Sequence, residues 1–263
     1  MDASQIRLKA IAIRRNIIEM AHRSKSPHLG SGLSCVDILS TLFFRVMKRE
    51  PWKERDIFIL SKGHAAMSLY STLHVLGTLD HECIAGYYQD CGTLPAHLDC
   101  CPEKGIEVSA GSLGHGFNMG LGMAFGFKRQ KNNRRVFAII GDGESQEGSI
   151  WEGALFGSKL GLSNFTAVLD YNNLQGYGRP RDLCSYEPVR AKWEAFGWHV
   201  VETSGHDVEA LLKAFEEDPK GKPKIIIAKT TKGKGVSFME DQLTWHYFIV
   251  TDDHKKKALE ELI

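Results

Sequence analysis

Asp142 sits in Gly141-Asp142-Gly143, directly after the apolar run Val136-Phe137-Ala138-Ile139-Ile140. A second apolar run, Phe165-Thr166-Ala167-Val168-Leu169-Asp170, ends in Tyr171-Asn172-Asn173. The 28 residues between Gly143 and Asn172 leave room for one loop, one helix and one strand. Two neighbouring parallel strands would then each deliver an oxygen donor at their C-terminal ends, the edge where open α/β sheets bind ligands. A hard cation such as Mg²⁺ takes a carboxylate, an amide oxygen and phosphate oxygens. Asp142, Asn172 and a carbonyl just beyond, at Leu174, are the expected donors, and the ligand they imply is a metal-bound diphosphate. Taken singly, Gly-Asp-Gly and Asn-Asn are also good turns; their placement after two buried runs is what joins them.

The elements that must position these donors follow from periodicity. Ile6, Ile13, Ile17 and Met20 lie near helical spacing and predict an amphipathic helix over 3–22. Residues 22–32, with Pro27, Gly30 and Gly32, read as a loop, and a second helix is expected over about 34–47. A short strand at 56–61 leads through Lys62-Gly63-His64 into a helix over about 65–77, and 80–112 reads as a long irregular excursion. From Gly114 the glycines at 114, 116, 120, 122 and 126 imply close approach, either to a second subunit or to the chain's own sheet. Strands at 136–140, 166–170, 198–202 and 224–230 alternate with helices near 148–161, 189–196 and 206–218. That alternation, with near-continuously apolar strands, predicts an α/β fold: one parallel sheet covered by helices on both faces, in a single domain over 1–263.

Bulk composition excludes several classes. The formal net charge of +1 gives no electrostatic case for nucleic acid or an anionic membrane. No apolar run approaches the ~20 residues of a membrane span, and no signal peptide is evident, so a cytoplasmic protein is expected. The six cysteines contain no C-x-x-C pair and read as reduced thiols. Cys100-Cys101 near His97 are metal-ligating types, but adjacent cysteines lack the spacing of a shared tetrahedral site. No Walker-type phosphate loop is present.

The ordered motifs resemble transketolase. The span from Gly-Asp-Gly to Asn-Asn is similar to the thiamine-diphosphate motif, and Ser26-Pro27-His28-Leu29-Gly30 resembles the family's early histidine loop. Ser61-Lys62-Gly63-His64, Leu94-Pro95-Ala96-His97 and Gly111-Ser112-Leu113-Gly114-His115-Gly116 resemble further family loops, and Lys232-Gly233-Lys234-Gly235 with Trp245-His246 its closing loop. The likeness runs in order from about residue 5 to 250. It implies that Asp142, Asn172 and Leu174 hold Mg²⁺ in a thiamine-diphosphate-binding fold. It further implies that His64, Gly111, Ser112, Leu113, Gly143, Glu144 and His246 contact thiamine diphosphate. His28, His97 and His246, with His64, would face the sugar and move protons as a two-carbon ketol unit passes from a ketose to an aldose. Glu147 and Glu152 match acidic residues that link paired active sites.

In the family, the carboxylate that activates the cofactor's aminopyrimidine lies in a second domain. The resemblance therefore implies an N-terminal subunit that needs a separate C-terminal partner, expected as a heterotetramer. Other readings remain: the α subunit of a 2-oxo-acid dehydrogenase, a deoxyxylulose-phosphate synthase, or a non-catalytic regulatory subunit. The first two share Gly-Asp-Gly…Asn but need not keep three sugar-facing histidines. Intact Asp142, Asn172, His28, His64, His97 and Glu147 argue against the last. Pro27, Ala96 and His115 depart from the family pattern, as does the apolar Tyr247-Phe248-Ile249-Val250 after His246.

Overall fold

A computed structural model describes all 263 residues. Five strands, β1 (Ile57–Leu60), β2 (Val136–Gly141), β3 (Phe165–Tyr171), β4 (His199–Ser204) and β5 (Lys224–Lys229), form one sheet. Its order is β1-β2-β3-β5-β4, and every pairing is parallel. Gly141 stands level with Asp170 across the β2–β3 pairing, so the chain leaves both strands at one edge of the sheet.

The helices are α1 (Ala3–Ser24), α2 (Leu29–Ser34), α3 (Val36–Thr41), α4 (Ala66–Leu76), α5 (His81–Ala85), α6 (His115–Arg129) and α7 (Gly148–Lys159), followed by α8 (Pro180–Leu183), α9 (Val189–Ala195), α10 (Val208–Glu216) and α11 (Asp252–Glu261). Alternation along the strands splits the core into two layers, as a sheet buried on both faces requires. Phe58, Phe137, Ile139, Val168 and Ile226 meet α1, α3, α4 and α10 on one face. Ile59, Val136, Ala138, Leu169 and Ile225 meet α6, α7 and α9 on the other.

Helix α1 starts where a capping box closes it: Gln5 N–H donates to Asp2 at 2.8 Å, and Asp2 N–H donates back to the Gln5 side chain at 3.1 Å. The region after it differs from expectation. Instead of a loop to 32 and a helix over 34–47, helix resumes at Leu29, breaks at Cys35 and runs on through α3 into a π-helical turn at Leu42–Val46. Gly30 is not a breaker here; a Cβ on it would lie 3.0 Å from Lys232 Cγ and 3.3 Å from the Trp245 carbonyl. Helix α11, whose only buried side chain is Ala258, carries too weak an apolar stripe to be read from periodicity, although Thr251 caps it.

The irregular excursion at 80–112 is held by isolated antiparallel bridges, Leu98 with Ala110 and Cys101 with Ile106. Of the two alternatives for the glycine helix, close approach to the chain's own sheet is seen on α6. A Cβ on Gly116 would meet Ser61 at 2.8 Å and one on Gly120 would meet Phe165 at 2.8 Å, so this face lies on the sheet. Gly122 and Gly126 face open space. All six cysteines are free thiols, and no helix is long and apolar enough to cross a membrane.

Candidate active site

The donors proposed for a cation converge at the β2–β3 edge. Leu174 N–H lies 3.2 Å from Asp142 Oδ2 and 3.1 Å from Asn172 Oδ1, so the carboxylate and amide oxygens flank one backbone group. The Leu174 carbonyl is fixed from the other side by Lys232 Nζ at 2.9 Å. Asp142 is buried, and burial, aided by the charge of Asp170, pushes its carboxyl up to about 6. Three hard oxygen donors, one of them a buried carboxylate with no ion-pair partner of its own, fit a Mg²⁺ whose remaining positions are phosphate and water. No group of three or more His, Cys, Asp or Glu side chains gathers as an all-protein metal cage.

Beneath these donors, Asp170 and Lys62 form an ion pair with both side chains almost fully buried. Asp170 also accepts from the hydroxyls of Ser34 and Thr230. Burial works against both charges, yet Lys62 holds Asp170 below the usual carboxylate range and Asp170 holds Lys62 above the usual lysine range. Glu144 serves a second internal tie. Its carboxylate accepts from Ser61 Oγ, from Gly114 N–H at 2.9 Å and from Gly141 N–H at 3.2 Å. The carboxylate thus clamps the 61–64 turn, the 111–114 loop and the end of β2 together. Gly63 completes that contact, because a Cβ there would lie 2.3 Å from the Ala110 carbonyl.

A pocket of about 590 Å³ opens above this floor, lined by Asp142, Asn172, Leu174, Gly143, Gly111 and Leu113 and by four histidines. His28 is the hub: its ring centroid lies 5.4 Å from His64, 5.9 Å from His97 and 5.1 Å from His246. His28 takes a left-handed backbone (φ 71°) at the start of α2, and its N–H donates to the His246 carbonyl at 2.9 Å. Burial, with His97 and Lys232 alongside, pulls His28 down to about 4. Burial and Lys232 pull His246 down to about 3, and burial and Lys62 take His64 well below its usual range. These three imidazoles are neutral at neutral pH and can donate or accept a proton. Lys232 Nζ donates to His246 Nδ1 at 2.8 Å, which leaves the proton of that ring on Nε2.

Other sequence-predicted residues fall differently. Glu147 lines the pocket at the start of α7, whereas Glu152 lies on the exposed side of that helix and Ser112 is exposed outside the lining. His22, His74, His199 and His206 have local partners elsewhere. Cys100 and Cys101 engage Glu107 and Glu103. Lys62, Asp170, Lys232 and Tyr247 were not among the site residues expected from sequence. An aspartate closing an otherwise apolar strand, and a lysine directly after another, were the available signals for the first pair.

The chain matches the family model "Transketolase, thiamine diphosphate binding domain" over residues 6–262. It is 35% identical to one of the apulose-4-phosphate transketolase subunits of Phocaeicola vulgatus, an alignment covering 100% of this chain and 95% of that protein. It is 38% identical to the 6-deoxy-6-sulfo-D-fructose transketolase subunit SqwG of a Clostridium species, covering 100% and 98%. The solved transketolase of Campylobacter jejuni superposes with a TM-score of 0.92 at 32% identity. That superposition covers all of this chain but only 43% of the solved one, so the chain spans about two fifths of that enzyme's length. The chain belongs to the transketolase family, whose members transfer ketol groups, and corresponds to its N-terminal, thiamine-diphosphate-binding part.

Proposed function

We propose that this transketolase-family chain is the diphosphate-binding subunit of a two-chain enzyme that moves a two-carbon unit from a ketose phosphate to an aldose phosphate. The observation that carries the reading is that Asp142, Asn172 and Leu174 line one pocket together with four histidines, Asp142 and Asn172 both meeting the Leu174 N–H. When bound, thiamine diphosphate supplies the nucleophilic carbon and the electron sink for carbon–carbon cleavage. Asp142, Asn172 and Leu174 would hold its Mg²⁺, with Gly143 and the 111–113 backbone against the cofactor. His28, His64, His97 and His246 would orient the sugar hydroxyls; as neutral rings, His28, His64 and His246 can accept a hydroxyl proton and return it.

The partner requirement draws support from relatives of matching length that are named as subunits. Met119, Leu155 and Phe156 are exposed large hydrophobic side chains on α6 and α7. With the open Gly122 and Gly126, they offer a face for a second copy and support a heterotetramer. Glu147 and Glu152, both on or beside α7, would lie near that contact. Six free thiols accord with a cytoplasmic setting.

Native mass spectrometry on the tagged chain captured from its own cells, with Mg²⁺ and thiamine diphosphate, tests the reading. The expected species contains a second, different chain and carries cofactor mass. A homo-oligomer without cofactor at saturating ligand overturns it, and ketol transfer by the pure single chain overturns the partner requirement.

A further inference from the structure

His206 lies between β4 and α10, outside the pocket, and is bonded at both ring nitrogens. Nδ1 is 2.8 Å from Asp37 Oδ2 in α3, and Thr231 N–H donates to Nε2 at 2.8 Å. A carboxylate only accepts and a backbone N–H only donates, so this ring is the neutral tautomer with its proton on Nδ1. Asp37 is held in turn by Arg14 of α1 at 3.0 and 2.6 Å, and Arg14 Nε donates to the Lys234 carbonyl at 3.0 Å. Thr231 and Lys234 flank Lys232, the residue that fixes the Leu174 carbonyl and His246 Nδ1. One relay across α1, α3 and the β4–α10 turn, buried at Arg14 and Asp37, therefore holds both ends of the segment that carries Lys232.

We propose that His206 is a positioning residue for the active-site loop. As the acceptor at Nε2 it seats Thr231, and through it Lys232 and His246. The groups facing it are Arg14 from α1, Asp37 from α3 and, on the loop, Lys234 with Glu240, which pair at 3.0 Å. The consequence for catalysis rests on the assignment of Lys232 and His246 to the cofactor pocket; the seating of the loop does not.

Hydrogen–deuterium exchange of the chain reads the seating of the loop directly. Glutamine can replace the Nε2 acceptor and asparagine the Nδ1 donor, so His206→Gln keeps the Thr231 bond while His206→Asn keeps only the Asp37 bond. At pH 7.5, loop residues 231–236 of the Asn variant should exchange about fivefold faster than those of the unaltered chain, and those of the Gln variant at the unaltered rate. Identical exchange of the two variants overturns the proposal. With the partner chain, Mg²⁺ and thiamine diphosphate, the Asn variant should also bind cofactor about fivefold more weakly than the Gln variant. A complex that binds no cofactor even unaltered would refute the proposed function, while exchange still decides the loop.

Discussion

Asp142 is a costly residue in the absence of a cation. Its folded-state carboxyl titrates near 6, above the ordinary aspartate value, so the native state binds a proton more tightly than the unfolded state. The resulting destabilisation is fully present above about 6 and disappears as pH falls below the unfolded value of about 3.9. Asp142→Asn should therefore raise the stability of the cofactor-free chain by roughly 1–3 kcal/mol at pH 7.5. It should also lower Mg²⁺-dependent cofactor affinity by more than the ~10–100-fold that loss of an outer-shell partner costs. Denaturant melts at two pH values and cofactor titration of the assembled enzyme check the two halves. His28 has the opposite sign: its folded value near 4 lies below the unfolded value near 6.5, so its contribution is lost as pH falls through that window. In an Asp142→Asn background, His28→Asn should flatten the stability-versus-pH slope between about 4 and 6.5 by up to about one proton. The acid and amide were legible in the sequence because each ends an apolar run. Lys232 was not, because the partners that bury it, Leu174 and His246, are distant in the chain.

At the scale of elements, the Lys62–Asp170 pair joins the turn after β1 to the end of β3 across the intervening β2. Lys62→Met should cost about 3–5 kcal/mol, because it strands a buried carboxylate rather than removing a balanced pair; urea unfolding measures it. Helix α6 gives a sharper contrast. Gly122→Ala or Gly126→Ala, where a Cβ meets nothing, should each stabilise the isolated chain by up to about 1 kcal/mol through helix propensity. Gly120→Ala should destabilise it by about 1–3 kcal/mol, since the new methyl meets Phe165 and Ile59. Thermal melts that rank Gly120→Ala above Gly122→Ala would contradict this packing. Strand positions and the longer helices could be read from apolar spacing. The α2–α3 break could not: Gly30 and Gly32 carry the same letters as a loop, and only the approach of Lys232 and Trp245 explains Gly30 inside a helix.

Across the whole molecule, the proposed partner requirement predicts that cofactor loading follows assembly. Ligand at about 100 times its dissociation constant should add about 2.7 kcal/mol to the stability of the partnered enzyme. Chelating Mg²⁺ should return the melt to its cofactor-free position, and the chain alone should show little response to either treatment. The parallel, two-faced sheet could be read from alternation of elements, but the strand order could not, because nothing local marks β5 as inserting between β3 and β4. The level pairing of Gly141 with Asp170 also bears on which genetic lesions this fold can absorb. Loss of one codon inside β2 or β3 would draw its donor back by about 3.3 Å and turn it to the opposite side of the strand. Such an allele would yield protein without chemistry. A codon lost from the exposed 130–133 turn upstream would leave both donors where they stand, and the allele would pass unnoticed.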